Sequence, residues 1–154
     1  MGCDIHSYAE KRNESGQWEV IDGVHPFDSR SYGAFAFLAG VRNYSAITPI
    51  SQPRGIPEDA SEYVKEEHES WTCDAHSASW LSVAELASFD YNAECEDRRC
   101  RVQLAPNCWS GAGTCEPGHG ERQTFRKFLG EWFMQDIAEL QEVGAERIVF
   151  WFDN

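Results

Sequence analysis

Residues 148–152 read Ile-Val-Phe-Trp-Phe. No polar residue interrupts the run, so a strand here is buried on both faces and belongs at the centre of a sheet. Asp153 and Asn154 follow at its exit. A second strand is legible from Cys3 to Lys11, where side chains alternate. Cys3, Ile5, Ser7 and Ala9 fall on one face, and Asp4, His6, Tyr8 and Glu10 on the other. Asn13-Glu14-Ser15-Gly16 is turn chemistry, and Gln17 to Ile21 alternates again through Trp18 and Val20, which completes an N-terminal β-hairpin.

The intervening chain reads as helices and loops. Asp28 or Ser29 is placed to cap a helix through Tyr32, Phe35, Ala36, Leu38 and Ala39, ended by Gly40. A long loop from Tyr44 to Pro57 holds Pro49, Pro53 and an Arg54-Gly55 tip, and loops of that length are often binding loops or lids. Asp59-x-x-Glu62 and Ser82-x-x-Glu85 are capping-box patterns that open two short helices, one to about Ser70 and one through Leu86 to Phe89. Residues 91–120, with Cys95, Cys100, Cys108, Cys115 and several glycines, read as an irregular Cys/Gly-rich insertion. Phe125, Phe128, Leu129, Trp132, Phe133, Ile137 and Leu140 fit one apolar stripe, which predicts a long helix over about 122–143 with Gly144 as its C-cap. The expectation is a single α+β domain: a mixed central sheet with the N-terminal hairpin and the central strand 148–152, packed by helices including the long one.

The 154 residues suit one domain with a proper core. Acidic residues number 26 against 13 basic, a formal charge of −13, which repels long polyanions and argues against non-specific binding of duplex DNA or RNA. A few arginines in a pocket can still hold a small phosphate-bearing ligand, because the wider field is screened. No apolar run approaches the roughly 20 residues of a membrane helix. The opening Met1-Gly2-Cys3-Asp4 lacks the parts of a signal peptide. The expectation is a cytoplasmic protein with reduced cysteines. Cys95, Cys100, Cys108, Cys115 and His119 form no CxxC knuckle, so scattered thiols fit better than structural zinc.

One short element occurs twice: Cys-Asp-Ile-His-Ser at residues 3–7 and Cys-Asp-Ala-His-Ser at 73–77. In extended backbone each Asp and His share a face, roughly 6.6 Å apart along the strand, while Cys and Ser point the other way. That parity favours Asp and His acting together and argues against a Cys-His metal site within either element. Three functional readings follow. Asp4, His6, Asp74 and His76, with Glu10 or Asp153, are candidates to bind Mn²⁺, Fe²⁺ or Zn²⁺ and activate water against a phosphodiester. Without metal, the two histidines are candidates for general acid and base, oriented by the carboxylates. As a plain ligand pocket, the same groups with Tyr8, Glu10 and Ser77 hydrogen-bond or stack on a base. Arg30, Arg42 with Asn43, and Arg54 are then candidates for phosphate contacts. Trp80, Trp71 and Tyr32 are candidate stacking platforms. The plain structural alternative is a sheet edge whose outer face is wetted by Asp, His, Tyr and Glu, and what separates the readings is whether the fold brings the two Asp-x-His elements together.

The opening Met1-Gly2-Cys3-Asp4-Ile5-His6 with Tyr8-Ala9-Glu10-Lys11-Arg12, then Ala39-Gly40-Val41-Arg42-Asn43, Pro53-Arg54-Gly55-Ile56-Pro57, Asp74-x-His76-Ser77 and Arg147 through Asn154, resemble a family of short bacteriophage-encoded proteins. The resemblance covers both ends and the middle but not residues 91–120, and it carries no catalytic residues. By analogy it implies an anti-defence role in the cytoplasm of an infected bacterium, as a sponge for a cyclic nucleotide or related signal or as a hydrolase that cleaves one. An acidic protein–protein inhibitor is the remaining class. The aromatic load is compatible with a homo-oligomer.

Overall fold

The computed structural model describes residues 2–154, with the backbone alone at Ser110; Met1, which opens the stretch read for a signal peptide, lies outside the described residues. In chain order the elements begin with strands β1 (Ile5–Arg12) and β2 (Trp18–Val20), then helices α1 (Tyr32–Ala39) and α2 (Glu62–Ser70). Strand β3 (His76–Ser82) and helix α3 (Val83–Ser88) follow, and after them strands β4 (Glu94–Asp97), β5 (Arg99–Ala105), β6 (Cys108–Thr114) and β7 (Glu121–Thr124). Helices α4 (Phe125–Leu129) and α5 (Glu131–Glu142) precede the last strand, β8 (Arg147–Phe152). The fold class is α+β. Among the described residues no helix is long and apolar enough to cross a membrane.

The chain divides into two compact units, each discontinuous in sequence. The first comprises the residues up to Arg30, Pro53–Phe89 and those from Trp132 onward. Its frame is a four-stranded sheet in the order β2-β1-β8-β3. The apolar run lies where its composition demands, between β1 and β3, with every residue of β8 buried. The expected mixed sheet is antiparallel at each pairing, because β8 runs opposite to both of its neighbours. His6, Tyr8 and Glu10 lie opposite Trp151, Val149 and Arg147, and so share one face with Trp80 and Ser82 of β3. The other face holds Ile5, Ser7 and Ala9 with Phe152, Phe150 and Ile148.

The first face is covered rather than wet. Val64 of α2 and Ala60 pack with Tyr8, Val149 and Trp151 into one apolar cluster, flanked by Ile56, Trp71 and Trp80. Helix α2 starts where Ser61 caps it, the hydroxyl accepting from Val64 N–H. The Ser82 capping box of α3 forms as its sequence pattern predicts. The hairpin turn is closed by Asn13, whose side chain accepts from the N–H groups of Ser15 and Gln17.

The second unit comprises Ser31–Gln52 and Asp90–Glu131. Helix α1 is capped by Ser31, not by Asp28 or Ser29, and ends at left-handed Gly40. Its Phe37 packs between Tyr91 and Phe125, with ring centroids 5.9 and 5.7 Å away. The stretch read as an irregular insertion is largely strand: β4 pairs with β7, and β5 with β6. Cys, Arg, Thr and Trp tolerate extended backbone, and two of the glycines that suggest irregularity, Gly111 and Gly113, sit within the β5–β6 ribbon. At Gly113 an added Cβ would lie 2.1 Å from a Val102 methyl, so glycine there makes room for its cross-strand neighbour.

The expected helix over 122–143 is three elements. Glu121–Thr124 is strand β7, and its polar Glu-Arg-Gln-Thr sequence offers no apolar face to continue a helix. Thr124 caps α4 by accepting from Lys127 N–H. Gly130 then breaks the stripe at φ 87° and ψ 163°, a conformation essentially reserved for glycine. Replacing Gly130 with alanine is expected to destabilise the fold by about 1–3 kcal/mol, measured as a lower urea midpoint at unchanged slope.

Candidate functional site

The proposed working face divides into two regions of different character. At one end lies His6. Its Nε2 is 3.0 Å from Asp153 Oδ2, and its ring meets Trp71 at a centroid distance of 4.0 Å and Trp151 at 5.9 Å. Asp153 also accepts from the backbone N–H of Asp4, and its own N–H donates to the Asp4 carbonyl. The Asp4 carboxylate faces Arg30 through two hydrogen bonds, which lower its pKa below the ordinary range. Arg30 is therefore paired with Asp4 rather than presented to a phosphate. Tyr8 is buried against Trp151, and burial raises its phenol to about 12, with Glu67 beside its hydroxyl adding to the effect.

The second Asp-x-His element does not join the first. Asp74 is exposed in a turn, its N–H donating to Trp71 carbonyl. His76 pairs with Phe152, whereas His6 pairs with Trp151, and neighbours along β8 face opposite sides. The His76 ring accordingly packs on Phe152, at 6.1 Å. Its Nδ1 contacts the Ser77 hydroxyl at 3.1 Å, and among the described residues its buried Nε2 has no hydrogen-bond partner. Ser77 adopts φ 51° where the β3 register shifts. The four proposed catalytic or metal groups Asp4, His6, Asp74 and His76 are thus not gathered on one face. Among the described residues, no group of three or more His, Cys, Asp or Glu side chains is placed to hold a metal ion.

Most other candidates serve local structure. Asn43, in the second unit, closes its own loop: its Nδ2–H donates to the Ile47 carbonyl, and its Oδ1 accepts from Ile47 N–H. Arg42 sits at φ 49° with its guanidinium over the Tyr32 ring. Arg54 is not a free loop tip. Its backbone N–H donates to Ser79 Oγ, Gly55 N–H donates to the Ala78 carbonyl, and its guanidinium grips Glu85 at 2.6 and 3.0 Å while lying over Trp80. These bonds hold the supposed lid against β3.

The other end of the face is built around Glu10 and Arg147. Glu10 is fully buried. It accepts from Arg147 Nε at 2.7 Å and from Ser61 N–H at 2.8 Å. Arg147 reaches on to Asp59 at 2.8 Å and lies 3.7 Å above the Trp18 ring, while Trp18 Nε1–H donates to Asp59. Arg12 stacks over Trp18 as well and binds Glu146 through two side-chain hydrogen bonds. Around these groups opens a cavity of about 550 Å³, walled by Trp18, Trp80 and Pro57, with Arg12, Arg147, Glu58, Asp59 and Glu146 at its polar positions. Among the described residues, the buried Nη2 of Arg147 has no hydrogen-bond partner. One signal pointed here: Arg147 is a charge at the head of an otherwise unbroken apolar strand, and such a charge needs a buried partner.

Comparison of the chain with models of known protein families, with curated proteins and with solved structures gave no match.

Two outcomes are expected. Glu10→Ala leaves Arg147 buried without its main counter-charge and should cost about 3–5 kcal/mol, read from urea unfolding. The second concerns acid stability. Hydrogen bonding to Arg54 first, then the Ser82 cap, lowers Glu85 from 4.5 to about 2 in the fold. A depressed folded pKa means that its contribution is complete above 4.5 and disappears as pH falls towards 2. Glu85→Gln should therefore lose stability relative to wild type at neutral pH, and the gap should close across that window in pH-dependent melting.

Proposed function

We propose that the protein binds a small nucleotide-like ligand in the cavity between Trp18 and Trp80 and holds it without cleaving it. With the resemblance to phage-encoded proteins, the reading becomes sequestration of a nucleotide-derived immune signal in the cytoplasm of an infected bacterium.

The observation that carries the proposal is the pairing of two tryptophans with two arginines, Arg12 and Arg147, around one cavity. A cavity of about 550 Å³ is within the range of small-molecule sites. Indole faces suit a planar base, and a guanidinium suits a phosphoryl oxygen. The carboxylates constrain the ligand further. Glu58, Asp59 and Glu146 stand beside Arg12 and Arg147. A polyphosphate would meet that negative charge directly, so a phosphodiester with a single charge per phosphate is the better fit. Binding is favoured over hydrolysis because the histidines proposed as an acid–base pair lie on opposite faces of the sheet.

The test is a panel of cyclic mononucleotides, cyclic dinucleotides and ADP-ribose derivatives. At least one should raise the melting temperature and be recovered intact after heat release. Trp80→Ala and Arg12→Ala should each weaken that binding by tenfold or more, measured by calorimetry. Failure of the whole panel to bind would sink the proposal. Turnover of a bound member, abolished by His6→Ala, would replace it with a phosphodiesterase.

A further inference from the structure

Among the described residues, the large apolar side chains that stand most exposed are Tyr63, Val102, Leu104 and Trp109. Three of them lie on the β5–β6 ribbon. Leu104 is 70% exposed and Trp109 61%, so neither is a core residue that merely reaches the surface. Gln103 pairs with Trp109, which puts Trp109 on the opposite face from Val102 and Leu104. Among the described residues, the ribbon is a two-stranded sheet with no third strand on either side. A lone two-stranded ribbon is marginal in water, and exposed edges and apolar faces invite pairing.

Its charge is equally unusual. Residues 98–115 contain Arg98, Arg99 and Arg101 and no acidic residue, so all 26 carboxylic side chains lie elsewhere in the chain. Arg99 and Arg101 are exposed, and among the described residues neither takes part in an ion pair, unlike Arg12, Arg30, Arg54, Arg122, Arg126 and Arg147. The fourth exposed apolar residue has the opposite setting. Tyr63 lies on α2 and is half exposed, and Glu62, Glu66 and Glu69 are exposed on the same helix.

We infer that the β5–β6 ribbon is a self-association arm: the ribbon of one copy packs its Trp109 face onto the α2 surface of a second copy, with Arg99 and Arg101, which share that face through Gln103, against the glutamates. The occupant is argued from complementarity. A basic apolar surface needs an acidic partner with an apolar centre, and this chain presents one. A patch of this kind also steers encounter, so the association is salt-sensitive.

Sedimentation equilibrium of the full chain tests this. Wild type should self-associate, and high salt should weaken the association. Arg99→Glu with Arg101→Glu should reduce it at least tenfold, and so should Trp109→Ser. Glu66→Arg with Glu69→Arg should be equally defective alone. Mixing the two charge-reversed proteins should restore a complex, which no misfolded variant would do. A wild-type protein that stays monomeric at every concentration tested overturns the inference. So does self-association unaffected by the ribbon variants, or a mixture that fails to recover. Salt-sensitive binding of single-stranded nucleic acid by the ribbon, without self-association, would assign it to another partner and equally overturn the inference.

Discussion

The ion pair between Glu10 and Arg147 organises the first unit. The two residues are direct register partners on β1 and β8, in the middle of a sheet, and both are buried. Neither charge tolerates such a position alone. Glu10 draws in the Ser61 N–H and so fixes where α2 begins. Arg147 draws in Asp59 and supports the Trp18 ring, which anchors β2 and the chain leading to α2. A slip of one residue between β1 and β8 would send Glu10 and Arg147 to opposite faces, each without its partner. The apolar cluster of Tyr8, Val64, Val149 and Trp151 would tolerate many packings. The ion pair tolerates one register, so it adds specificity to a sheet whose stability comes from apolar burial.

How much of this was legible depends on the range over which each signal acts. Ile148–Phe152 could be placed at the sheet centre because composition alone demands burial on both faces. The N-terminal hairpin and the Ser82 cap rest on contacts within a few residues, and both appear as read. The helix over 122–143 failed because an apolar period was followed through Gly130, where backbone freedom outweighs the stripe. The β5–β6 ribbon was missed because glycines in a cross-strand pair look the same in sequence as glycines in a loop.

The repeated Cys-Asp-x-His-Ser failed for a longer-range reason. Parity within a strand tells which side chains share its face. It does not tell which face of the sheet that will be. β1 and β3 both run antiparallel to β8, yet His6 meets Trp151 and His76 meets Phe152. That offset of one residue separates the two histidines by the thickness of the sheet. The bulge near Ser77 then returns β3 to a register in which Trp80 and Ser82 share the face of Glu10. A sequence echo, even of five residues, carries no information about cross-strand register.

The arginines show what a strongly acidic chain does with few cations. Arg12, Arg30 and Arg54 each face a carboxylate, and Arg147 faces two. Read singly from the sequence, Arg30 and Arg54 looked available for phosphate; in the fold their charge is already neutralised. For the ligand proposed above, capacity has to come from directional hydrogen bonding instead of net charge, because Arg12 and Arg147 at the cavity already face carboxylates. Hydrogen bonds from a fixed guanidinium discriminate by geometry, and nearby carboxylates then exclude ligands that carry too much negative charge. Selectivity at such a site follows from both: the arginine favours one placed oxygen, and the acids penalise a second unshielded charge. Arg99 and Arg101 are a different case: among the described residues neither takes part in an ion pair, and their charge can act at a distance that a saturated pair cannot reach.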